Sequence, residues 1–287
     1  MTDIKGTTRV CGLIGNPVEH SISPLIHNSL AGFTAHDLAY VTFKVESGQV
    51  KTAVDGAYAL NVLGMNVTVP HKQEVIEALK DIDPLAKAIG AVNTLVRVDG
   101  GYKGYNTDIF GLERELEDEG IIIEDKPVVI LGAGGASRAI AFLCAKKCAA
   151  KIYLLNRSIE KAELIAREVN DFFNNDTVVP MKMADYTTLD CTDYVVIQTT
   201  SVGLHPHDNE AVIEDEIFYS NASVGVDIIY NPAETKFMKL MKAQGKPAYN
   251  GLKMLLYQAV AAFELFNGIS VSKEHVDAVY DVIKGEL

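Results

Sequence analysis

No apolar run in this 287-residue chain approaches the length of a membrane span, and the opening Met1-Thr2-Asp3-Ile4-Lys5-Gly6 lacks a signal-peptide core. No Lys/Arg-rich run is present either. The formal net charge is −12 and the sequence pI is near 5.0, which argues against nucleic acid and anionic membrane as partners. Cysteine is scarce: Cys11, Cys144, Cys148 and Cys191 form no Cys-x-x-Cys pair. Cys144 and Cys148 share a helix face, and they read as buried thiols. His205-Pro206-His207 has no further ligand nearby, so it reads as a polar loop and no metal is expected. Internal repeats and low-complexity segments are also missing. What remains is 48% hydrophobic and 22% charged, ordinary for a soluble globular protein and long enough for two domains. A cytoplasmic protein is expected.

The chain is organised around Val128-Val-Ile-Leu-Gly-Ala-Gly-Gly-Ala-Ser-Arg-Ala139. A short β-branched run ends at Gly132, glycines follow, and an alanine-rich helix begins at once. Such a βα turn accepts a pyrophosphate, because glycines let the backbone approach and the helix N-terminus offers free N–H groups. Gly132, Ala133, Gly134, Gly135 and Ala136 are the candidate contacts. A plain tight turn competes with this reading, since Ser137 occupies the third glycine position of G-x-G-x-x-G. The next strand, Lys151–Ser158, breaks the tie. It ends at Asn156, 24 residues past Gly132, where dinucleotide folds keep a ribose-reading residue. Instead of an acid, this chain offers Asn156, Arg157, Ser158 and then Lys161. Two cations and two small hydrogen-bonding groups suit a 2′-phosphate, so NADP is favoured over NAD.

Strand–helix alternation from Val128 to Asn250 predicts a doubly wound parallel sheet. Its strands are expected near Lys151–Ser158, Met181–Met183, Tyr194–Gln198, Val224–Tyr230 and Ala248–Asn250, with helices Ile159–Phe173 and Lys236–Gln244. The part before it reads as α/β as well. Strands are expected at Arg9–Gly15, Tyr40–Val45 and Gly64 onward, the last stopped by Pro70. A helix over Gln49–Leu60 has Val50, Val54, Ala57 and Tyr58 inward. Ser23-Pro24 predicts a helix start with Ser23 as N-cap, and capping is the first reading of Ser21 or Ser23 alone; together, the two hydroxyls at a helix N-terminus would also hold a carboxylate. Lys72 opens a helix whose inner face is Val75, Ile76 and Leu79, a poor place for a lysine against the helix dipole. A hairpin around Asp99-Gly100-Gly101 delivers Asn106-Thr107-Asp108, where Asp108 reads first as an N-cap. Leu252–Phe266 reads as a buried helix, with Gln258 its uncharged polar residue in need of partners. Ser272 caps a last helix bearing Val276, Val279 and Ile283.

Five further stretches carry a resemblance: Gly15-Asn-Pro-Val-Glu-His-Ser-Ile-Ser-Pro24, Asn66-Val-Thr-Val-Pro-His-Lys72, Gly90-Ala-Val-Asn-Thr94, Gly104-Tyr-Asn-Thr-Asp108, and Leu255-Leu-Tyr-Gln-Ala259 with Phe263. Together with the glycine turn and Asn156-Arg157-Ser158, and in this order, they resemble the shikimate dehydrogenases over nearly the whole chain. The resemblance implies an α/β substrate domain, residues 1–107 plus 252–287, and a Rossmann-like NADP domain, residues 108–251, around a cleft. It implies NADPH-dependent, reversible reduction of 3-dehydroshikimate to shikimate in aromatic amino-acid biosynthesis. Ser21 and Ser23 match the serines holding the substrate carboxylate. Lys72, Asn93, Asp108 and Gln258 match residues around the ring hydroxyls and the reacting carbon. Thr68, Tyr230 and Gly251 match further cleft positions, Gly251 on the cofactor side.

The residue types suit that chemistry, since a ketone receiving hydride also takes up a proton. A cationic Lys72 can donate it, with Asp108 orienting the amine as its catalytic partner. Three departures stand out. Ser137 replaces the third glycine, Lys161 stands where many relatives have a second arginine, and Phe266 where tryptophan is frequent. Lys161 leaves room for NAD as a second cofactor. The alternatives are a quinate/shikimate dehydrogenase using NAD as well as NADP, a methyltransferase and a non-catalytic nucleotide sensor. A basic end to the Lys151–Asn156 strand argues against the methyltransferase, and the Lys72–Asp108 pair argues against the sensor. Both a monomer and a homodimer fit the sequence, and two domains leave no length for a fused further enzyme.

Overall fold

The computed structural model describes residues 4–286; Met1, Thr2 and Asp3, the start of the segment read for a signal core, lie outside the described residues. The chain forms two compact units. Residues Met1–Gly111 and Leu255–Leu287 make the first, and Leu112–Met254 the second. No described helix is long and apolar enough to cross a membrane.

The first unit is built on strands β1 (Arg9–Gly15), β2 (Leu38–Lys44), β3 (Gly64–Val67), β4 (Asp81–Ile82), β5 (Thr94–Val98) and β6 (Gly101–Tyr105). Their order in the sheet is β2-β1-β3-β5-β6-β4. β1 runs parallel to β2 and β3, whereas the β5–β6 hairpin packs antiparallel onto β3. Helices α1 (Ser23–Phe33), α2 (Val50–Ala59) and α3 (Pro84–Ile89) belong to this unit, and the long helix α4 (Asp108–Asp118) leaves it. Val50 and Val54 of α2 are buried in one core with Ile14, Met65, Val67 and Val75, and Ala57 and Tyr58 pack on its edge. The segment after Lys72 is a single 3-10 stretch, Glu74–Ala78, and not an α-helix. Val75 still points inward, because burying it matters more than which helical hydrogen bond closes the turn.

The second unit holds β7 (Pro127–Leu131), α5 (Gly135–Lys146), β8 (Lys151–Asn156), α6 (Ile159–Phe173), β9 (Val178–Lys182), β10 (Tyr194–Gln198), α7 (Glu216–Ser220), β11 (Ala222–Asp227), α8 (Lys236–Ala243) and β12 (Ala248–Asn250). All pairings are parallel, in the order β12-β11-β10-β7-β8-β9. Read from the other edge this is the 3-2-1-4-5-6 order of a doubly wound dinucleotide fold, with its switch point between β7 and β10. Near-continuous apolar strands such as Val128–Leu131 are buried on both faces, as crossover helices require.

Helix α9 (Leu252–Asn267) returns the chain to the first unit and α10 (Lys273–Lys284) ends it. Phe266 is buried, its ring lying over Gly64 at the start of β3 where no Cβ could fit, so this position is packing. Ser272 caps α10 by accepting from the His275 N–H, and Val276, Val279 and Ile283 are buried.

One cysteine expectation fails. Cys148 lies beyond the C-cap of α5, exposed and with φ of 57°, because the helix stops at Lys146 and the chain turns left-handed there; Cys191 is half-buried. His205 and His207 are exposed and pair with Asp208 and Glu210.

Candidate functional site

In the first unit, the carboxyl ends of β1, β3 and β6 and the start of β5 share one edge of the sheet. That edge gathers the residues that sequence placed far apart. Gly15 leads into the Ser21–Ser23 loop, and Thr68 sits against Gly15, its N–H donating to Ile14 O at 2.9 Å. Lys72 is fixed through its backbone, whose carbonyl accepts the Val92 N–H at 2.8 Å. His71 beside it is fully buried, with Nε2 2.7 Å from Val45 O.

Lys72 Nζ donates to Asp108 Oδ2 at 2.7 Å, and Asn93 Nδ2 donates to Asp108 Oδ1 at 2.8 Å. The Lys72 and Asp108 side chains are 31% and 18% exposed, so the pair is shielded yet still open to a ligand. The Asn93 amide cannot turn round. Its Oδ1 accepts the Thr107 N–H at 2.7 Å, the Thr107 hydroxyl at 3.1 Å and the Thr94 hydroxyl at 3.0 Å. Asn66 Nδ2 donates to Thr94 Oγ1 at 3.1 Å, and the buried Tyr40 hydroxyl donates to Asn66 Oδ1 at 2.8 Å. A satisfied buried network of this kind holds a single geometry.

Asp108 is therefore not an N-cap. It is the first residue of α4, and the Asn106 side chain accepts its N–H at 3.1 Å. Nor does Ser23 cap α1: it is the first helical residue, its N–H bonded to Ser21 Oγ at 3.2 Å, with the two hydroxyls 3.1 Å apart. A preceding turn has taken the cap's task, which leaves Ser23 Oγ near a helix N-terminus. Gln258 lies on α9, half-buried rather than buried, its amide donating to Leu255 O at 2.9 Å.

In the second unit the glycine turn sits at the end of β7. Gly132 has φ of +113°, and a Cβ there would come within 2.7 Å of Thr199 Oγ1, so only glycine closes this turn. At Gly134 and Gly135 the space around the backbone is open, at the N-terminus of the 12-residue helix α5. Ser137 is fully buried and joins both sides of the switch point. The Gly134 N–H donates to Ser137 Oγ at 3.0 Å, Ser137 Oγ lies 2.6 Å from Thr199 Oγ1, and Thr199 donates to Leu131 O at 2.7 Å. The departure from the glycine fingerprint is thus a hydroxyl that laces the turn to β10.

At the end of β8, Asn156 Nδ2 donates to Ser158 O and the Ser158 hydroxyl donates to Glu160. Arg157 and Lys161 are exposed, and neither pairs with a carboxylate among the described residues. The turn, the open helix end and two uncommitted cations fit a phosphate-bearing dinucleotide. Tyr230 and Gly251 follow the carboxyl ends of β11 and β12. Among the described residues no group of His, Cys, Asp or Glu is arranged to hold a metal.

Sequence reasoning missed the supports. Thr94, Thr107, Asn66 and Tyr40 hold Asn93 in place, while Thr199 and Gln198 shape the loop after β10. Their one visible signal is a polar residue closing or interrupting an apolar strand, such as Asn66 between Met65 and Val67.

Family models match in three stretches: the shikimate dehydrogenase substrate binding domain over residues 13–95, shikimate / quinate 5-dehydrogenase over 115–228, and the shikimate 5′-dehydrogenase C-terminal domain over 251–279. The shikimate dehydrogenase (NADP(+)) of Methanocaldococcus jannaschii is 41% identical over 98% of this chain and 99% of its own. The chain belongs to the shikimate dehydrogenase family. Solved members superpose closely. A shikimate dehydrogenase in complex with NADP+ is 38% identical with a TM-score of 0.88, covering 98% of this chain and 97% of its own. The Listeria monocytogenes shikimate 5-dehydrogenase, in complex with shikimate and NAD, is 30% identical with a TM-score of 0.90 and covers 98% of each chain.

Proposed function

We propose that this chain is an NADP-dependent shikimate dehydrogenase, reversibly reducing 3-dehydroshikimate to shikimate for aromatic amino-acid biosynthesis. The observation that carries the reading is the Lys72 ammonium 2.7 Å from Asp108, with the far side of that carboxylate held by Asn93. Gly132, Ala133, Gly134, Gly135 and Ala136 would hold the pyrophosphate of NADP, and Asn156, Arg157, Ser158 and Lys161 its 2′-phosphate end, with Gly251 a further cofactor contact. Bound there, the cofactor supplies the hydride.

Everything else falls to the protein. Ser21 and Ser23 anchor the carboxylate, with hydroxyls 3.1 Å apart at the start of α1. Thr68, Asn93, Gln258 and Tyr230 orient the ring. Lys72 Nζ delivers a proton to the ketone oxygen during reduction and takes it back during oxidation. Asp108 keeps that amine aimed, and Asn93 stops the carboxylate from rotating away. The protein works in the cytoplasm on a small molecule, as a monomer or a homodimer.

The test is absorbance at the nicotinamide band, using purified protein with shikimate or quinate and NADP⁺ or NAD⁺. Strong turnover with shikimate and NADP⁺ alone supports the biosynthetic enzyme. Comparable rates with quinate and NAD⁺ would favour the dual-specificity relative. Silence in all four mixtures would overturn the reading.

A further inference from the structure

β11 ends at Asp227, a carboxylate with no solvent exposure and no cation in contact among the described residues. A buried carboxylate is expensive unless its lone pairs are used. Here both oxygens are. Oδ1 accepts the Ile229 N–H at 3.0 Å and Oδ2 accepts the Thr235 hydroxyl at 2.6 Å. Thr235 is itself buried and caps α8, accepting the Met238 N–H. One side chain thus ties the loop from Ile228 to Thr235 at its start and at its end.

The same loop is held from the other side. The Ile228 N–H donates to Gln198 O at 3.1 Å, and Ile229 O accepts the Gly251 N–H at 3.0 Å. A Cβ on Gly251 would collide with the Ile228 carbonyl, so glycine is what lets the end of β12 lie flush against the loop. Ile229 is bonded at both its N–H and its C=O, and Tyr230 is the next residue. Its place is set by Asp227 from within and by Gly251 from outside.

We propose that Asp227 is a positioning residue, which through Ile229 and Thr235 holds the Ile228–Thr235 loop, and with it Tyr230, in the shape that substrate binding requires. This rests on the assignment of Tyr230 to the shikimate site made above. A purely structural role would lower the melting temperature and leave substrate affinity alone. A positioning role acts on the shikimate KM and is silent when the Tyr230 hydroxyl is absent.

The experiment uses full-length wild type, Asp227→Ala, Asp227→Asn, Thr235→Val, Thr235→Ser, Tyr230→Phe and the Asp227→Ala/Tyr230→Phe double variant. Shikimate KM, NADP⁺ KM and melting temperature are measured for each. Asp227→Ala and Thr235→Val should each raise the shikimate KM about tenfold, with NADP⁺ KM changing far less. Asparagine still offers an oxygen to Ile229 and turns its amide to Thr235, so Asp227→Asn should restore near wild-type KM, as should Thr235→Ser. In the Tyr230→Phe background the effect of Asp227→Ala should shrink. If Asp227→Ala fails to fold, Thr235→Val carries the test. An unchanged shikimate KM in both, or an equal change with and without the Tyr230 hydroxyl, overturns the assignment while the enzyme reading stands. Wild type inactive on shikimate would overturn both.

Discussion

Replacing Asp108 with asparagine is the sharpest probe of the proposed chemistry, because the structure fixes what the new side chain would meet. Two donors converge on residue 108: Lys72 Nζ at 2.7 Å and Asn93 Nδ2 at 2.8 Å. Asn93 cannot reverse its amide without losing the bonds from Thr107 and Thr94. An asparagine at 108 has one acceptor oxygen for two donors, so its own NH₂ must face one of them, and the negative charge is gone. A charge-assisted bond of this kind is worth roughly 1.5–3 kcal/mol. A misaimed proton donor forfeits a general-acid contribution of about 10²- to 10⁴-fold. We therefore expect Asp108→Asn to lower kcat by about a hundredfold or more, roughly 3–5 kcal/mol of barrier. Steady-state NADPH formation from shikimate, with circular dichroism to verify folding, measures this. Adding Lys72→Ala should cost little more, since the two act as one unit. A kcat within about threefold of wild type, or a fully additive double variant, would refute the reasoning.

Arg157→Ala should raise the NADP⁺ KM about tenfold or more and leave the NAD⁺ KM nearly unchanged, because only the 2′-phosphate loses a partner; parallel titrations with both cofactors check it. Ser137→Ala breaks the Gly134–Ser137–Thr199 chain and should cost about 1 kcal/mol in denaturant unfolding, with weaker NADP binding by fluorescence. Burial lowers the His27 imidazole to about 3 from its ordinary 6.5, and neither ring nitrogen has a hydrogen-bond partner among the described residues. The unfolded chain therefore binds the extra proton first, and the stability that neutral His27 permits is lost as pH falls from about 6.5 toward 3. At pH 5 that loss is about 2 kcal/mol, so His27→Phe should show a smaller fall in melting temperature between pH 7 and pH 5 than wild type; equal falls would contradict it.

Periodicity and composition revealed the elements because burial imposes them locally. Ile159–Phe173 and Tyr194–Gln198 have the expected ends, and Ala162, Ile165, Ala166 and Val169 line the buried face of the former. Asp108 and Ser23 show where local preference fails. An acid or a serine before an apolar run is read as a cap, but Lys72, 36 residues away in sequence, claims the Asp108 carboxylate, and Ser21 takes the Ser23 N–H. Cys148 turned out exposed because a left-handed residue ends the helix there, which thiol chemistry does not announce. The supports behind Asn93 were invisible for a different reason. Thr94, Thr107, Asn66 and Tyr40 are brought together by the pairing of β3 with β5 and by strand neighbours, and one sequence carries no sign of such register.

The chain crosses between its two units inside α4 and α9, so the second unit is one unbroken stretch while the first is assembled from both ends of the chain. A ribosome therefore finishes every strand of the second sheet before α9 exists. The first sheet, complete in its strands by Tyr105, waits through that interval with Gly64 uncovered until Phe266 arrives. The half begun first is thus the last to be completed: its closing contacts span some two hundred residues, and long-range contacts of that kind are the slow ones to form.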